Sequence, residues 1–481
     1  MSRKWNMVFY VLMLGVFGFA IYEVMQRGRS QENVGRTVAQ ATQANTDKGS
    51  LQLFTESFSG NIGHPLPTLL LQIMIIVIVV RLFGYLFNKI GQPVVVGEIV
   101  AGIVLGPSLL GAFFPGIFNF VFPVSSFVNL QFLSQVGLML FMFVIGMELD
   151  INLIRKQAQE ALIISHASII IPYTLGMTLA LYIYKQFAPA NISFSSFALF
   201  MGIAMSITAF PVLARILQER NLTRTKLGAM AITCAAADDV TAWCILAALI
   251  AIVKAGSSAS TIFTLGLVVS YLAIMLFVVR PLLKKLGTIY NKREKVSKPM
   301  MAIVFMVLLL SSYATEVIGI HALFGAFMAG VIMPQGISFR KVVTDKIEDV
   351  SLVLLLPLFF VFTGLRTHIG LLNQGHLWIT CGWIILIAVA GKFGGSTIAA
   401  KAVGQTWKDS LSIGALMNTR GLMELVVLNI GYDLGILNPE VFTMMVIMAL
   451  VTTFMTSPAL NLINWLFAEK KVTAPTKEVL S

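Results

Sequence analysis

The chain has 481 residues, 57% of them hydrophobic and only 12% charged, with a mean hydropathy of +0.86. An ordinary soluble domain carries about 25% charged residues, and a soluble fold this apolar would expose more hydrocarbon than water tolerates; that excludes a conventional cytosolic enzyme. The net charge of +12 fits basic loops of a membrane protein, which makes nucleic acid an unneeded partner.

Apolar runs fall at 7–26, 66–88, 93–111, 127–149, 160–184, 195–218, 227–253, 261–283, 299–315, 319–334, 350–365, 377–402, 409–431 and 441–467, here called spans one to fourteen. A spanning helix needs roughly 20 apolar residues, and none of the runs alternates as barrel strands do. The fold class is therefore an all-α polytopic membrane protein. Span one, residues 1–26 with its basic start, reads either as an anchor or as a secretory signal peptide. A polar, extracytoplasmic linker follows at 27–65. Residues 66–467 form the transmembrane domain, and 468–481 read as a bare cytoplasmic tail.

Lys89, Arg155, Lys156, Arg220, Arg224, Lys226, the basic cluster from Lys284 to Lys298, Arg340, Lys341, Lys346 and Lys408 share one set of loops. Only Lys185, Lys254 and Arg366 occupy the other. The first set is assigned to the cytoplasm, with both chain termini inside. The expected location is a bacterial-type inner membrane. The cysteines Cys234, Cys244 and Cys381 lie inside apolar runs and suggest packing rather than a disulfide or metal framework.

An internal repeat runs through the spans. Gly97, Ala101 and Gly102, ending in Pro107, echo Gly325, Ala329 and Gly330, ending in Pro334. One span later, Leu140 to Gly146 echoes Leu358 to Gly364. The copies are seven spans apart, an odd number, so they cross the membrane in opposite senses, as in transporters with midplane sites at broken helices. The same relation joins span six, with Ser206, Thr208 and Pro211, to span thirteen, with Asn418, Thr419, Arg420 and Glu424. Proline removes a backbone donor and clashes with the preceding turn. Two breaks at related positions predict paired discontinuous helices facing each other at the centre.

Span seven holds Asp238 and Asp239, twelve and thirteen residues from Lys226, which at 1.5 Å per residue is about 18 Å, close to mid-bilayer. A single acid there costs roughly 2.5–3.5 kcal/mol on insertion scales. Neighbouring side chains diverge by about 100° around a helix, so one acid is expected at an ion cavity and the other against a neighbouring helix. Lys392, deep in span twelve among glycines, is the candidate ion-pair partner. Alkali cations take hard oxygen ligands, and Asp239, Asp238, Ser206, Thr208 and carbonyls freed near Pro211 supply them. A buried carboxylate also binds protons, so one site can hold either and exchange them. Pro211, Asn418, Thr419, Arg420 and Glu424 are read as support for the crossover, with Arg420 and Glu424 pairing. Glu98 reads as a packing acid or as one acting through a neighbour; Glu148 and Asp150 read as solvated. No cofactor is called for beyond the transported Na+ or K+ and H+. No phosphate-loop, nucleophile-elbow or histidine metal spacing is present, so no enzyme is expected.

Ser206 to Leu217, Ala235 to Cys244 and Met417 to Leu425 together resemble the monovalent cation:proton antiporter-2 family, closer to plant-type cation/H+ exchangers than to glutathione-gated Kef systems. The resemblance covers residues 64–467. It implies a Na+/H+ antiporter-type inverted-repeat bundle of about thirteen core helices plus one N-terminal helix, with a dimerisation domain, a mobile ion-carrying core and a homodimer. It also implies that Asp239 is the essential ion-binding acid, that Asp238 occupies a position varying between Asp and Asn, and that Lys392 pairs with it. Asp at that first position goes with electrogenic exchange of more than one proton per cation. The expected function is Na+ or K+/H+ antiport in pH and cation homeostasis. A cation-coupled symporter of a small organic solute on the same fold is the alternative.

Overall fold

The computed structural model describes residues 12–13, 15–27, 51, 55, 58, 60, 61 and 63–467, apart from 149–157, 223–224, 256–257, 286–295 and 335. The chain divides into two units, residues 1–64 and 65–481. In the first, 12–13 and 15–27 are helical, with Phe17, Phe19 and Ile21 exposed. The start of span one, most of the 27–65 linker, Asp150 and the 468–481 tail lie outside the described residues.

The second unit is all-helical among its described residues. Eleven helices are long and apolar enough to cross a membrane, or twelve when the bent pair Trp407–Met417 and Leu422–Asp433 counts as one. Burial separates periphery from centre. The apolar window of Pro65–Lys89 is 22% buried and that of Ile262–Lys285 is 18%, against 83% for Phe194–Gln218. Peripheral helices thus offer their apolar faces to lipid, and span six is enclosed by protein on nearly every side.

Span ten departs from expectation. Its helix covers only Ala322–Val331, ten residues, or about 15 Å of rise, too short to cross alone. Two left-handed residues, Gly319 (φ 96°) and His321 (φ 87°), interrupt the chain before it, a backbone feature that apolar composition does not report. Span eleven departs the other way. Helix Ile337–Val350 runs through a π-helical turn at Ser351–Leu355 into Leu356–Arg366, so Arg340, Lys341 and Lys346 stand on a helix instead of a loop.

The repeat is visible in the packing. A Cβ on Gly102 would meet the Phe360 carbonyl and Val361, and one on Gly364 would meet Gly102. A Cβ on Gly330 would meet the Phe143 carbonyl and Gly146, and one on Gly146 would meet the Phe327 carbonyl. Span three of the first copy therefore packs on span eleven of the second, and span ten on span four. That reciprocity is what a two-fold relation between the copies requires. The motif glycines are there because backbones touch at these crossings. Filling either crossing overpacks it, at about 1–3 kcal/mol each. Gly102→Ala and Gly330→Ala are expected to lower the thermal midpoint of the purified protein, whereas Gly266→Ala, with open space around it, leaves it unchanged; equal midpoints for all three would contradict the crossing geometry.

Candidate functional site

Span six stops at Ser206 and resumes at Phe210, with extended residues between. Pro211 stands just past this break. It is the second residue of the new half-helix Phe210–Glu219, where its missing N–H had no helical partner to lose. Span thirteen stops at Met417 and resumes at Leu422, bent by 40°. The two breaks touch. The Ala209 amide donates to the Thr419 carbonyl at 3.0 Å, and Thr208 Oγ1 is 3.2 Å from the Met417 carbonyl.

A helix that ends inside protein leaves its last carbonyls without partners. Here two cations take them. Arg420 donates through Nη1 to the Ala204 carbonyl at 2.9 Å and through Nη2 to that of Met205. Lys392 Nζ donates to the Ser206 carbonyl, and to that of Ser168 at 2.9 Å. Positive charge at a helix C-terminus also complements its dipole. The carbonyls of Ala204, Met205 and Ser206, at the end of the first half of span six, are therefore engaged by the protein's own side chains.

Both cations are fully buried and need anions. Lys392 Nζ lies 2.9 Å from Asp238 Oδ2, with both side chains 0% exposed. Arg420 Nη1 lies 3.1 Å from Glu424 Oε1 in the same condition, close enough for ionic attraction but without hydrogen-bond alignment. Asp238 also accepts hydrogen bonds from Ser165 Oγ (2.6 Å), Ser168 Oγ (2.7 Å) and Thr208 Oγ1 (2.8 Å), which with Lys392 makes four donors on one carboxylate. Lys392 reaches this cluster from a π-helical turn, Ala390–Gly394. Gly391 there abuts Pro172 of span five, 2.8 Å from where a Cβ would stand.

Asp239, one residue on and turned away, is 1% exposed, and neither of its oxygens has a hydrogen-bond partner among the described residues. The Phe210 amide, at the start of the second half of span six, approaches it without hydrogen-bond geometry. Of the other proposed ligands, Ser206 spends its hydroxyl on the Ile203 carbonyl of its own helix at 2.9 Å, and Thr208 serves Asp238. Asn418 Oδ1 is buried without a partner. The structure thus brings Asp238, Lys392, Thr208 and the Ser206 carbonyl together, and Arg420 with Glu424, but aims neither hydroxyl at Asp239.

Sequence reading missed four contributors. Ser165 and Ser168 sit three apart on span five, a spacing that puts both on one face. Thr453 of span fourteen accepts from the Arg420 amide at 3.1 Å and donates to its carbonyl at 2.7 Å, and Thr456 lies 3.2 Å from Thr419. Clustered hydroxyls in an apolar run were the available signal in both cases.

A cavity of about 1050 Å³ approaches this centre, with Asn88, Val94, Glu148 and Gln218 among its lining, all near helix ends that adjoin basic loops. Its inner end reaches Pro211 and Leu422, the starts of the two second half-helices, while Asp238 and Asp239 do not line it. Glu98 is in its wall, 8% exposed, with Arg81 and Arg215 nearby. Glu148, expected to be solvated, is exposed at the same cavity.

Comparison with known proteins agrees with this architecture. The family described as "Sodium/hydrogen exchanger, transmembrane" matches residues 74–462, and the chain belongs to it. A Na+/H+ antiporter of Synechocystis sp., NhaS4, is 41% identical over 391 residues, covering 81% of this chain and 95% of that protein. Cation/H+ antiporter 17 of Arabidopsis thaliana is 41% identical over 398 residues, and K+/H+ antiporter 1 of Saccharomyces cerevisiae 33% identical over 428. This chain covers about half of each of those two, 48% and 49% of their lengths. The solved sodium/proton antiporter MjNhaP1 of Methanocaldococcus jannaschii shares the fold, with a TM-score of 0.62 over 84% of this chain and 98% of that one at 14% identity.

Removing one member of a buried ion pair strands the other, at about 3–5 kcal/mol. Lys392→Ala is therefore expected to lower stability sharply. Lys392→Ala combined with Asp238→Asn should lose less than the two single losses added together. Unfolding curves of the four proteins in detergent provide the check; strict additivity would contradict the pair.

Proposed function

We propose that the chain is a secondary-active antiporter that exchanges Na+ or K+ for protons, with Asp239 as the group over which they compete. One observation carries this reading: Asp239 is buried with no hydrogen-bond partner among the described residues, beside a carboxylate that has four donors. The charges of Lys392, Arg420, Asp238 and Glu424 sum to zero, so the buried cluster is neutral without Asp239. An ionised Asp239 is then an uncompensated charge in a dry place, a cost of several kcal/mol. A bound proton removes that cost, and so does an alkali cation. Both cannot occupy the carboxylate together, which couples their movements without further machinery.

One carboxylate trading one proton for one cation moves no net charge. The electrogenic cycle we infer takes its second proton from Lys392. A cation that draws on Asp238 as well as Asp239 weakens the 2.9 Å contact with Lys392, and an ammonium without its counter-ion in this setting releases a proton. Thr208 and Asn418 stand at the break within the same region, and their oxygens are the further ligands proposed here. Alternating access comes from movement of the half-helices around the acids. We further propose a homodimer in the inner membrane, with residues 66–467 as the exchange domain, the basic loops and C-terminus in the cytoplasm, and a role in pH and alkali-cation homeostasis.

Proteoliposome exchange with Na+, K+, Li+ and Rb+ at several pH values tests the reading. Asp239→Asn is expected to abolish cation-dependent proton movement, and wild-type rates in that variant would remove Asp239 from the account. Asp238→Asn should retain exchange while losing its response to an imposed membrane potential. An unchanged voltage response would exclude the two-proton cycle.

A further inference from the structure

Span five is helical from Ala158 to Phe187 and carries a buried proline, Pro172, inside the helix. A proline has no N–H, so the carbonyl four residues earlier loses its helical donor. Lipid offers nothing to replace that donor, and a neighbouring helix must supply one. Four residues before Pro172 stands Ser168. The donor its carbonyl receives is Lys392, whose Nζ lies 2.9 Å away.

The proline and the lysine are matched in place. Gly391, the residue before Lys392, packs on Pro172, whose Cα is 2.8 Å from where a Cβ on that glycine would stand. Both Gly391 and Lys392 belong to the π-helical turn Ala390–Gly394, an irregularity that frequently marks a functional position. Spans five and twelve are partners under the seven-span repeat. Each copy thus brings one irregular helix to the centre, and the two irregularities touch.

Lys392 therefore has acceptors of two kinds. Asp238 is a side chain, able to turn towards something else. The carbonyls of Ser168 and Ser206 are fixed backbone, one freed by a proline and the other by the end of a half-helix. Ser168 also places its hydroxyl 2.7 Å from Asp238 Oδ2 and 3.3 Å from Lys392 Nζ, so it adjoins both members of the pair. In the exchange proposed above, a cation draws on Asp238 and loosens its contact with Lys392. Charged or neutral, Nζ keeps at least two N–H donors, and the two carbonyls can hold both.

We propose that Pro172 is a positioning residue for cation exchange: by withholding one N–H it leaves the Ser168 carbonyl to Lys392, which stays in place when Asp238 turns to the cation. The proposal rests on the antiport reading above. An N–H restored at position 172 competes for that carbonyl. Lys392 then leans more on Asp238, the cation draws on that acid less easily, and cation affinity weakens. A proline with a purely structural part predicts something else, because alanine is the better helix former and replacing Pro172 would change stability alone.

The test compares full-length wild-type protein, Pro172→Ala, and a protein with lactic acid in place of Pro172, which has the alanine side chain on an ester backbone without an N–H. The half-saturating concentration of Na+ and of K+ is read from cation-dependent thermal stabilisation in detergent, and exchange is measured on the same preparations in proteoliposomes. For whichever cation stabilises the wild type, Pro172→Ala is expected to raise half-saturation about tenfold, the size of one hydrogen bond to a charged group. Lactic acid should return it to the wild-type value. If Pro172→Ala does not fold, Pro172→Gly restores the same N–H and takes its place. Unchanged half-saturation with the N–H restored, or equal shifts with alanine and lactic acid, in a wild type that exchanges ions would overturn the role of Pro172 and leave the antiport standing. A wild type without exchange would overturn both.

Discussion

A helix interrupted in the middle of a membrane protein exposes carbonyls where no water is available to satisfy them, and this constraint organises the centre of the molecule. The end of the first half of span six, at Ala204, Met205 and Ser206, is satisfied by Arg420 and Lys392. Those cations require Asp238 and Glu424 as counter-ions, and Asp238 in turn gathers Ser165, Ser168 and Thr208. A structural need of the backbone thereby consumes every charge in the cluster except that of Asp239. In the proposed exchange, the acid left over is the one that responds to what arrives from solution.

The same arrangement distinguishes tight backbone crossings from elements that border cavities. The glycine crossings, Gly102 on Gly364 and Gly330 on Gly146, join elements of the two copies through direct backbone contact and leave little room for sliding. The second half-helices of spans six and thirteen instead border cavities, one large and one nearly closed. Interdigitated glycines make a frame, and in the exchange proposed above the half-helices, held at their ends by polar contacts, are the part that shifts. An inverted repeat supplies both sides of the membrane with the same set of components.

Much of this was legible from residue order alone. Asp238, Asp239 and Lys392 stood out because a charge inside an apolar run is costly and needs a reason, and the 2.9 Å pair between Asp238 and Lys392 is that reason. The repeat glycines marked the internal repeat, and the structure puts several of them where backbones of the two copies cross, a close approach that was not foreseen. What could not be read was backbone detail and the direction of hydroxyls. The positive φ of His321 that shortens span ten leaves no trace in hydropathy. Ser206 looked like a hydroxyl ligand, but a serine near a helix end satisfies itself on its own carbonyls, and its carbonyl does the work of binding Lys392. Ser165, Ser168, Thr453 and Thr456 were overlooked because hydroxyls are ordinary in membrane helices, and their clustering along the sequence does not show where they converge in space.

In the proposed exchange a proton and an alkali cation occupy the single buried carboxylate of Asp239 in turn. The most direct test of that exchange is the proton balance of cation binding to the purified protein in weakly buffered detergent solution. Added Na+ or K+ should release protons, with an apparent affinity that weakens steadily as pH falls. Saturable cation binding with no proton release, at an affinity independent of pH, would contradict it.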